Sequence, residues 1–500
     1  MSCVIGLDIG TTSTIGIVLD VSTSRIIASA TRPVTLLSPK QGWAEEEPNE
    51  WWANVCSIVP ELLHQSGLDR TAITAIGTTG MLPATIVLDS DGTVLRPSIQ
   101  QSDGRTGQEV KEIAGEVSED AFVMRAGNGI NQQLVASRIR WIEKHEPEVF
   151  NQIATVFGSY DYINWRLTGE RAVEQNWALE AGFIDLETNE LSDDLISLAH
   201  LTPGTVPKKA FSSEIIGHVS AEAAAQSGLA EGTPVVGGAA DHIASAYAAG
   251  VLASGDVLLK FGGAADIMIA TDKARPDPRM FLDYHIIPGL FMPNGCMSTG
   301  GSALNWFIAQ FAKAETAEAK KRDISPHQYL DGLAAEIPPG SDGVTFIPYL
   351  LGEKTPIHDP DARGTILGLS LNHDIRHLWR ALLEGYAYAF RHHVEVFNDM
   401  GFPTTRFLAS DGGSKSALWM QICADVLQTP VQLLTGHPGS CLGAAWLAGM
   451  GTGATNDWSG VAKCVSYGAE VQPNTGMRAR YDAGYALFRE TYEMQKELRK

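Results

Sequence analysis

The chain has 500 residues, with 58 Asp and Glu against 37 Lys and Arg, a formal net charge of −21. At roughly 100–200 residues per domain this length holds two to four domains. So acidic a balance excludes general binding to nucleic acid or an anionic membrane, which both need a basic face, and an apolar content of 44% excludes a disordered chain.

The N-terminus reads Met1-Ser-Cys-Val-Ile-Gly, without the basic and apolar regions of a signal peptide. The longest charge-free stretches, 289–311 and 429–456, are interrupted by Gly, Pro and polar residues and do not read as membrane spans. Six cysteines, Cys3, Cys56, Cys296, Cys423, Cys441 and Cys464, lie apart with no CxxC pair, so reduced thiols in a cytoplasmic protein are expected.

In chain order, Val4-Ile-Gly-Leu-Asp-Ile-Gly and Thr14-Ile-Gly-Ile-Val-Leu-Asp flank Gly10-Thr-Thr-Ser, the pattern of a β-hairpin with a small polar tip. Helical periodicity follows at 49–63, 134–144 and 160–167, and strand-like runs at 73–78 and 84–88. A second hairpin pattern begins at Val257-Leu-Leu-Lys-Phe-Gly-Gly-Ala-Ala-Asp-Ile-Met-Ile-Ala. A long helix is predicted over 374–399, where Ile375, Leu378, Leu382, Tyr386, Phe390, Val394 and Phe397 recur at spacings of three and four before Gly401 and Pro403. A last helix is expected over 479–500. Strands and helices alternate throughout, which predicts an α/β fold in two halves, 1–252 and 253–500, each opening with a hairpin.

A turn of Gly, Thr and Ser presents backbone amides and short hydroxyls, which suit phosphate oxygens. Asp8 at its edge would repel phosphate unless Mg²⁺ or its water stood between them; the bland reading is a turn and nothing more. In Val235-Val-Gly-Gly-Ala-Ala-Asp241-His242, an apolar strand meets an alanine-rich helical segment. Asp241 there is either an N-cap or a base that takes a proton from a substrate hydroxyl. Ala409-Ser-Asp-Gly-Gly-Ser-Lys-Ser places amides at a helix N-terminus, a setting for a nucleotide. No GxxxxGK[ST], strand-following GxGxxG or GxSxG pattern occurs, which disfavours P-loop, dinucleotide and hydrolase chemistry.

These segments, in this order, resemble the FGGY family of carbohydrate kinases over nearly the whole chain. The most specific part is Gly364-Thr-Ile-Leu-Gly-Leu followed by His377-Leu-Trp-Arg-Ala-Leu-Leu-Glu, similar to the family's C-terminal signature. Phe346-Ile-Pro-Tyr-Leu-Leu-Gly-Glu-Lys-Thr-Pro looks like the segment before it. Arg138-Ile-Arg-Trp-Ile-Glu-Lys-His keeps only part of the N-terminal signature, with Arg138 where lysine is usual.

The resemblance implies a two-domain actin-like ATPase (ribonuclease H-like) fold with the catalytic cleft between domains, and transfer of the γ-phosphoryl group of ATP to a terminal sugar hydroxyl. Asp8 would hold Mg²⁺ through water, beside a first phosphate loop of Gly10, Thr11, Thr12 and Ser13. Gly262, Gly263 and Ala264 resemble the second phosphate hairpin. Gly301, Asn305, Gly412, Gly413 and Ser416 would line the adenine nucleotide. Met81, Asp103, Arg105 and His242 would contact the sugar, and Asp241 matches the catalytic base. The expected acceptor is a ketopentose such as xylulose, with ribulose, L-xylulose, erythritol, glycerol or a signalling sugar as alternatives; a sugar sensor without catalysis is the other class. A homodimer is the family's default.

Departures fall mainly on the sugar side. His242 stands where members acting on xylulose usually have Asn and those acting on glycerol Gln, and Gly80-Met-Leu-Pro83 keeps Met81 but lacks the histidine that often follows. Gly262-Gly-Ala lacks the hydroxyl that relatives commonly carry there. Adjacent His392 and His393 point about 100° apart on a helix and read as structural, and Trp43 reads as either core or a sugar platform.

Overall fold

Val4, Ile5, Leu7 and Ile9 are all buried, so the first strand, Cys3–Ile9, has no solvent face. Such a strand belongs inside a sheet covered on both sides. It runs antiparallel to Ser13–Asp20 and parallel to Ile73–Gly80, with Asp8 opposite Ile15 on one side and Thr79 on the other. The sheet continues outward through Pro234–Val236 to Ile215–His218 on one edge and to Arg25–Pro33 on the other.

The computed structural model describes residues 2–436 and 439–499. It divides into two compact units. The first comprises Met1–Leu252, Asp272–Met292 and Pro438–Val465; the second comprises Ala253–Thr271, Pro293–His437 and Ser466–Lys500. The contiguous halves expected from the sequence are therefore interrupted, because two later segments return to the first unit. One holds the helix Ser440–Gly451, buried from Cys441 to Gly449 against the first unit's sheet. The other holds the strand Phe281–Tyr284, whose amides at Leu282 and Tyr284 donate to the side chains of Asn128 (2.9 Å) and Asn176 (2.7 Å).

Glycines explain how the returning helix packs. A Cβ on Gly6 would lie 2.2 Å from the Cys441 carbonyl oxygen, and one on Gly77 would lie 2.0 Å from that of Ala444. On the helix itself, a Cβ on Gly443 would lie 2.3 Å from the carbonyl oxygen of Ala244, in the helix Asp241–Ala248. Backbone thus meets backbone at three points, and no side chain larger than hydrogen fits any of them.

The second unit repeats the arrangement. Asp256–Phe261 forms an antiparallel hairpin with Ala265–Ile269 and pairs in parallel with Arg406–Ser410, which pairs in parallel with Val431–Gly436. The helix Ile375–Asp399 buries Leu382, Tyr386, Phe390 and Phe397 of the expected stripe and leaves Ile375, Leu378 and Val394 half-buried; Asp374 caps it by accepting from the Arg376 amide (3.0 Å). The helix expected to reach Lys500 is Arg478–Leu498, and Lys500 lies outside the described residues. Among the described residues no helix is long and apolar enough to cross a membrane.

Gly77→Ala forces the Ala444 backbone away from the sheet. We expect a loss of about 1–3 kcal/mol in stability, the usual scale of overpacking, read by urea denaturation. An unchanged midpoint would contradict this packing.

Candidate functional site

In the second unit, the turn Gly262-Gly263-Ala264 follows the strand Asp256–Phe261 and receives the start of the helix Gly301–Phe311. The amides of Gly301 and Ser302 donate to the carbonyl oxygens of Gly262 (2.8 Å) and Gly263 (3.1 Å). Beside this junction opens a cavity of about 660 Å³, lined by Gly262, Gly263, Gly301, Asn305, Gly412, Gly413 and Ser416 among others. All of these were expected from the sequence; Ala264 shapes the turn without lining the cavity. Gly413 is required by contact, since its Cβ would lie 2.6 Å from the Trp419 ring and 2.8 Å from Phe261.

Sequence reasoning missed other lining residues, among them Trp379, Trp419, His327 and Asp331. Asp331 accepts from the Trp379 indole N–H (2.8 Å) and the Ser416 hydroxyl (2.7 Å), and burial pushes its carboxyl up from the usual carboxylate range. Ser416 also caps the helix Ala417–Leu427 by accepting from the Trp419 amide at 3.0 Å.

In the first unit, Asp8 lies one residue before the end of a buried strand and is itself half-buried. Its Oδ2 accepts from the hydroxyl of Ser440, the first residue of the returning helix, at 2.5 Å. The following turn is closed by the Gly10 amide donating to the Ser13 carbonyl (3.1 Å), and Thr12 at its tip is exposed.

Asp241 is the first residue of its helix, and Ala240 occupies the N-cap position. The carboxylate therefore does not sit at the N-cap position, although it accepts one of the free first-turn amides, that of His242. Ala239 and Ala240 pair with Thr79 and Gly80, which sets Asp241 just beyond the end of the Ile73–Gly80 strand. Its side chain is 39% exposed. Asp241 Oδ1 accepts from the His242 amide (2.6 Å) and lies 3.4 Å from His242 Nδ1; His242 Nε2 lies 2.9 Å from Oδ2 of the buried Asp283.

The residues expected to contact sugar are more enclosed. Met81 is buried, its amide donating to the Ile9 carbonyl (3.1 Å) and its carbonyl accepting from Ser159 (2.7 Å). Arg105 donates from Nε (2.8 Å) and Nη2 (2.7 Å) to Asp103, which also accepts from the Ala44 amide at 2.6 Å. Arg105 reaches Glu45 at 2.8 Å and lies 3.7 Å from the centre of the Trp43 ring. Asp103 and Arg105 thus brace the loop around Trp43, which packs edge-on against Trp141. Arg138 is fully buried and donates to the Pro83 carbonyl and the Thr85 hydroxyl; burial pulls its guanidinium down to about 10.

The family model for the N-terminal domain of the FGGY carbohydrate kinases matches residues 3–248, and that for the C-terminal domain matches 263–452. The chain belongs to the FGGY family of carbohydrate kinases. This kinase accordingly has the two-domain α/β, actin-like ATPase fold of that family. It is 53% identical to the xylulose kinase of Rhodospirillum rubrum, with a TM-score of 0.95 over 99% of each chain. Among curated relatives it is 28% identical to the xylulose kinase of Bacillus subtilis, over 100% of this chain and 98% of the relative. It is also 28% identical to the gluconokinase of the same organism, over 93% of this chain and 90% of that one.

Of the adjacent pair His392 and His393, the second is held by structural contacts. His393 is buried between the Thr355 hydroxyl (2.9 Å) and the Ala389 carbonyl (2.8 Å), and burial lowers it to about 4.

Ser416→Ala removes both the helix cap and a donor to Asp331. A loss of about 1 kcal/mol is expected, measured by urea denaturation against Ser416→Thr, which keeps the hydroxyl. Equal stability of the two variants would contradict the capping role.

Proposed function

We propose that this kinase transfers the γ-phosphoryl group of ATP to a terminal hydroxyl of xylulose, with Asp241 as general base. The observation that carries the reading is the 53% identity, over 99% of the chain, with the Rhodospirillum rubrum xylulose kinase. The equal 28% identity to a xylulose kinase and a gluconokinase of Bacillus subtilis makes gluconate the acceptor to test against it.

Phosphoryl transfer leaves little covalent chemistry to the protein, so positioning and charge stabilisation carry the rate. The cavity in the second unit takes the nucleotide: its volume of about 660 Å³ suits a ligand of that size. The exposed, glycine-built turn lets backbone amides approach phosphate without a side chain between them. Asp241, at a helix start and open to solvent, takes the proton of the attacking hydroxyl. Base assistance of this kind contributes about 10²–10⁴-fold, and orientation of the reactants roughly 7–11 kcal/mol.

Asp8 fits a Mg²⁺ site held through water. It offers a half-buried carboxylate, one oxygen fixed by Ser440, beside the hydroxyls of the Gly10–Ser13 turn, and carboxylate and hydroxyl oxygens are the hard donors Mg²⁺ prefers. When bound there, Mg²⁺ supplies neutralisation of phosphate charge.

Asp241→Asn should reduce xylulose phosphorylation by about a hundredfold or more while leaving ATP affinity intact. Turnover above about a tenth of wild type would overturn the base assignment. Asp8→Asn should raise the Mg²⁺ concentration needed for half-maximal rate, and an unchanged titration would count against its role.

A further inference from the structure

The base candidate does not stand alone. Asp241, His242 and Asp283 form a chain of contacts inside the first unit, in which the imidazole has a carboxylate on each ring nitrogen: Asp241 Oδ1 at 3.4 Å from Nδ1 and Asp283 Oδ2 at 2.9 Å from Nε2. Exposure falls along the chain, from 39% for the Asp241 side chain through 24% for His242 to 0% for Asp283. The inner carboxylate sits on a fixed platform. The residues on both sides of it are pinned by side-chain amides, Leu282 by Asn128 through a donor and an acceptor (2.9 Å each) and Tyr284 by Asn176 at 2.7 Å. Both contacts on the base converge on Oδ1, which leaves Oδ2 for the proton.

We propose that Asp283 is a positioning residue for Asp241, acting through His242, which bridges the two carboxylates and holds the base in the orientation that receives the acceptor's proton. The inference rests on the reading of Asp241 as the base. It also gives a physical role to one of the departures noted in the sequence, His242 in place of an amide side chain. Asn or Gln at 242 could not accept the charge of a second carboxylate, and Asp283 buried without a cation would carry a large desolvation cost.

The titratable groups around the imidazole are Asp241 on its own helix, Asp283 on the strand Phe281–Tyr284, and Glu180 at the end of the helix Gln175–Glu180. Ligating atoms of Glu180, His242 and Asp283 all lie within 4.8 Å of one another. Glu174 stands behind Asp283 and feels its charge. Burial alone would lower the imidazole; Asp283, with hydrogen bonding to Asp241 and Asp283, outweighs it and holds His242 up at about 10. His242 therefore keeps its proton across the neutral range, and that proton is lost only as the pH rises through about 10.

The test compares Asp283→Asn, His242→Asn and the double variant, with the pH dependence of kcat and kcat/KM measured on xylulose and ATP affinity as the folding control. Each single variant should lose about tenfold or more in kcat, with KM changed far less. The double variant should lose no more than either single, because both remove one bridge. Asp283→Asn should also acquire a new ionisation between about pH 5 and 8, with the rate falling as the pH rises through it, since its histidine no longer has the partner that held it charged. If Asp283→Asn does not fold, His242→Asn removes the same bridge from the other side and decides the matter.

A kcat and pH profile equal to wild type in both single variants, alongside an inactive Asp241→Asn, would overturn the positioning role and leave the base assignment standing. An active Asp241→Asn would instead sink the base assignment itself. Activity lost in EDTA-treated wild type assayed with Mg²⁺, and restored by trace Zn²⁺ only while His242 and Asp283 are present, would mark the cluster as a metal site and also overturn the proposal.

Discussion

The first unit depends on how closely one helix approaches a sheet. Ser440–Gly451 lies against the central strands at Gly6 and Gly77, and against the helix Asp241–Ala248 at Gly443, with contacts that only hydrogen side chains permit. Both ends of the proposed chemistry hang on that approach. Ser440, at the start of the helix, holds the Asp8 carboxylate, and Gly443 fixes the distance to the helix that begins with Asp241. Close-packed backbone of this kind gives little when strained, so it can hold two carboxylates in place without hydrogen-bonding either of them directly to the other.

A net charge of −21 makes the treatment of individual carboxylates the second constraint. The buried acids in the first unit each have named donors. Glu174 accepts from Tyr160 (2.8 Å), Ser212 (2.7 Å) and the Asn176 amide (2.8 Å), and burial still pushes it up to about 7. Asp161 accepts from the amides of Gly158 and Glu174, and burial raises it well above the usual carboxylate range. Asp283 differs from these two in facing a basic side chain, His242, as Asp103 does with Arg105. This contact stands next to the residue assigned to catalysis.

What was legible in the sequence is what neighbouring residues decide. The two hairpins, the small-residue turns and the stripe from Ile375 to Phe397 were readable because strand and helix periods are local. The turn carrying Gly412, Gly413 and Ser416 was readable for the same reason, whereas Gly301 and Asn305 came only from the family resemblance. The return of 272–292 and 438–465 to the first unit was not readable, because it depends on partners distant in sequence, such as Gly77 for Ala444 and Asn128 for Leu282. Asp283 sits in a plain apolar strand, Phe-Leu-Asp-Tyr, with no motif around it, so only its contact with His242 reveals it. Asp103 and Arg105, which the family resemblance assigns to the sugar, also hold each other and brace the loop around Trp43, a pairing that no local pattern showed.

The acceptor is the central claim and the most direct to measure. Purified protein supplied with ATP and Mg²⁺ should release ADP in the presence of xylulose with a kcat/KM at least about tenfold above that for gluconate or glycerol, a difference of about 1.4 kcal/mol in transition-state binding. One equivalent of phosphorylated sugar should form for each ADP. ADP release that no sugar accelerates, or a kcat/KM that favours gluconate or glycerol, would contradict the account.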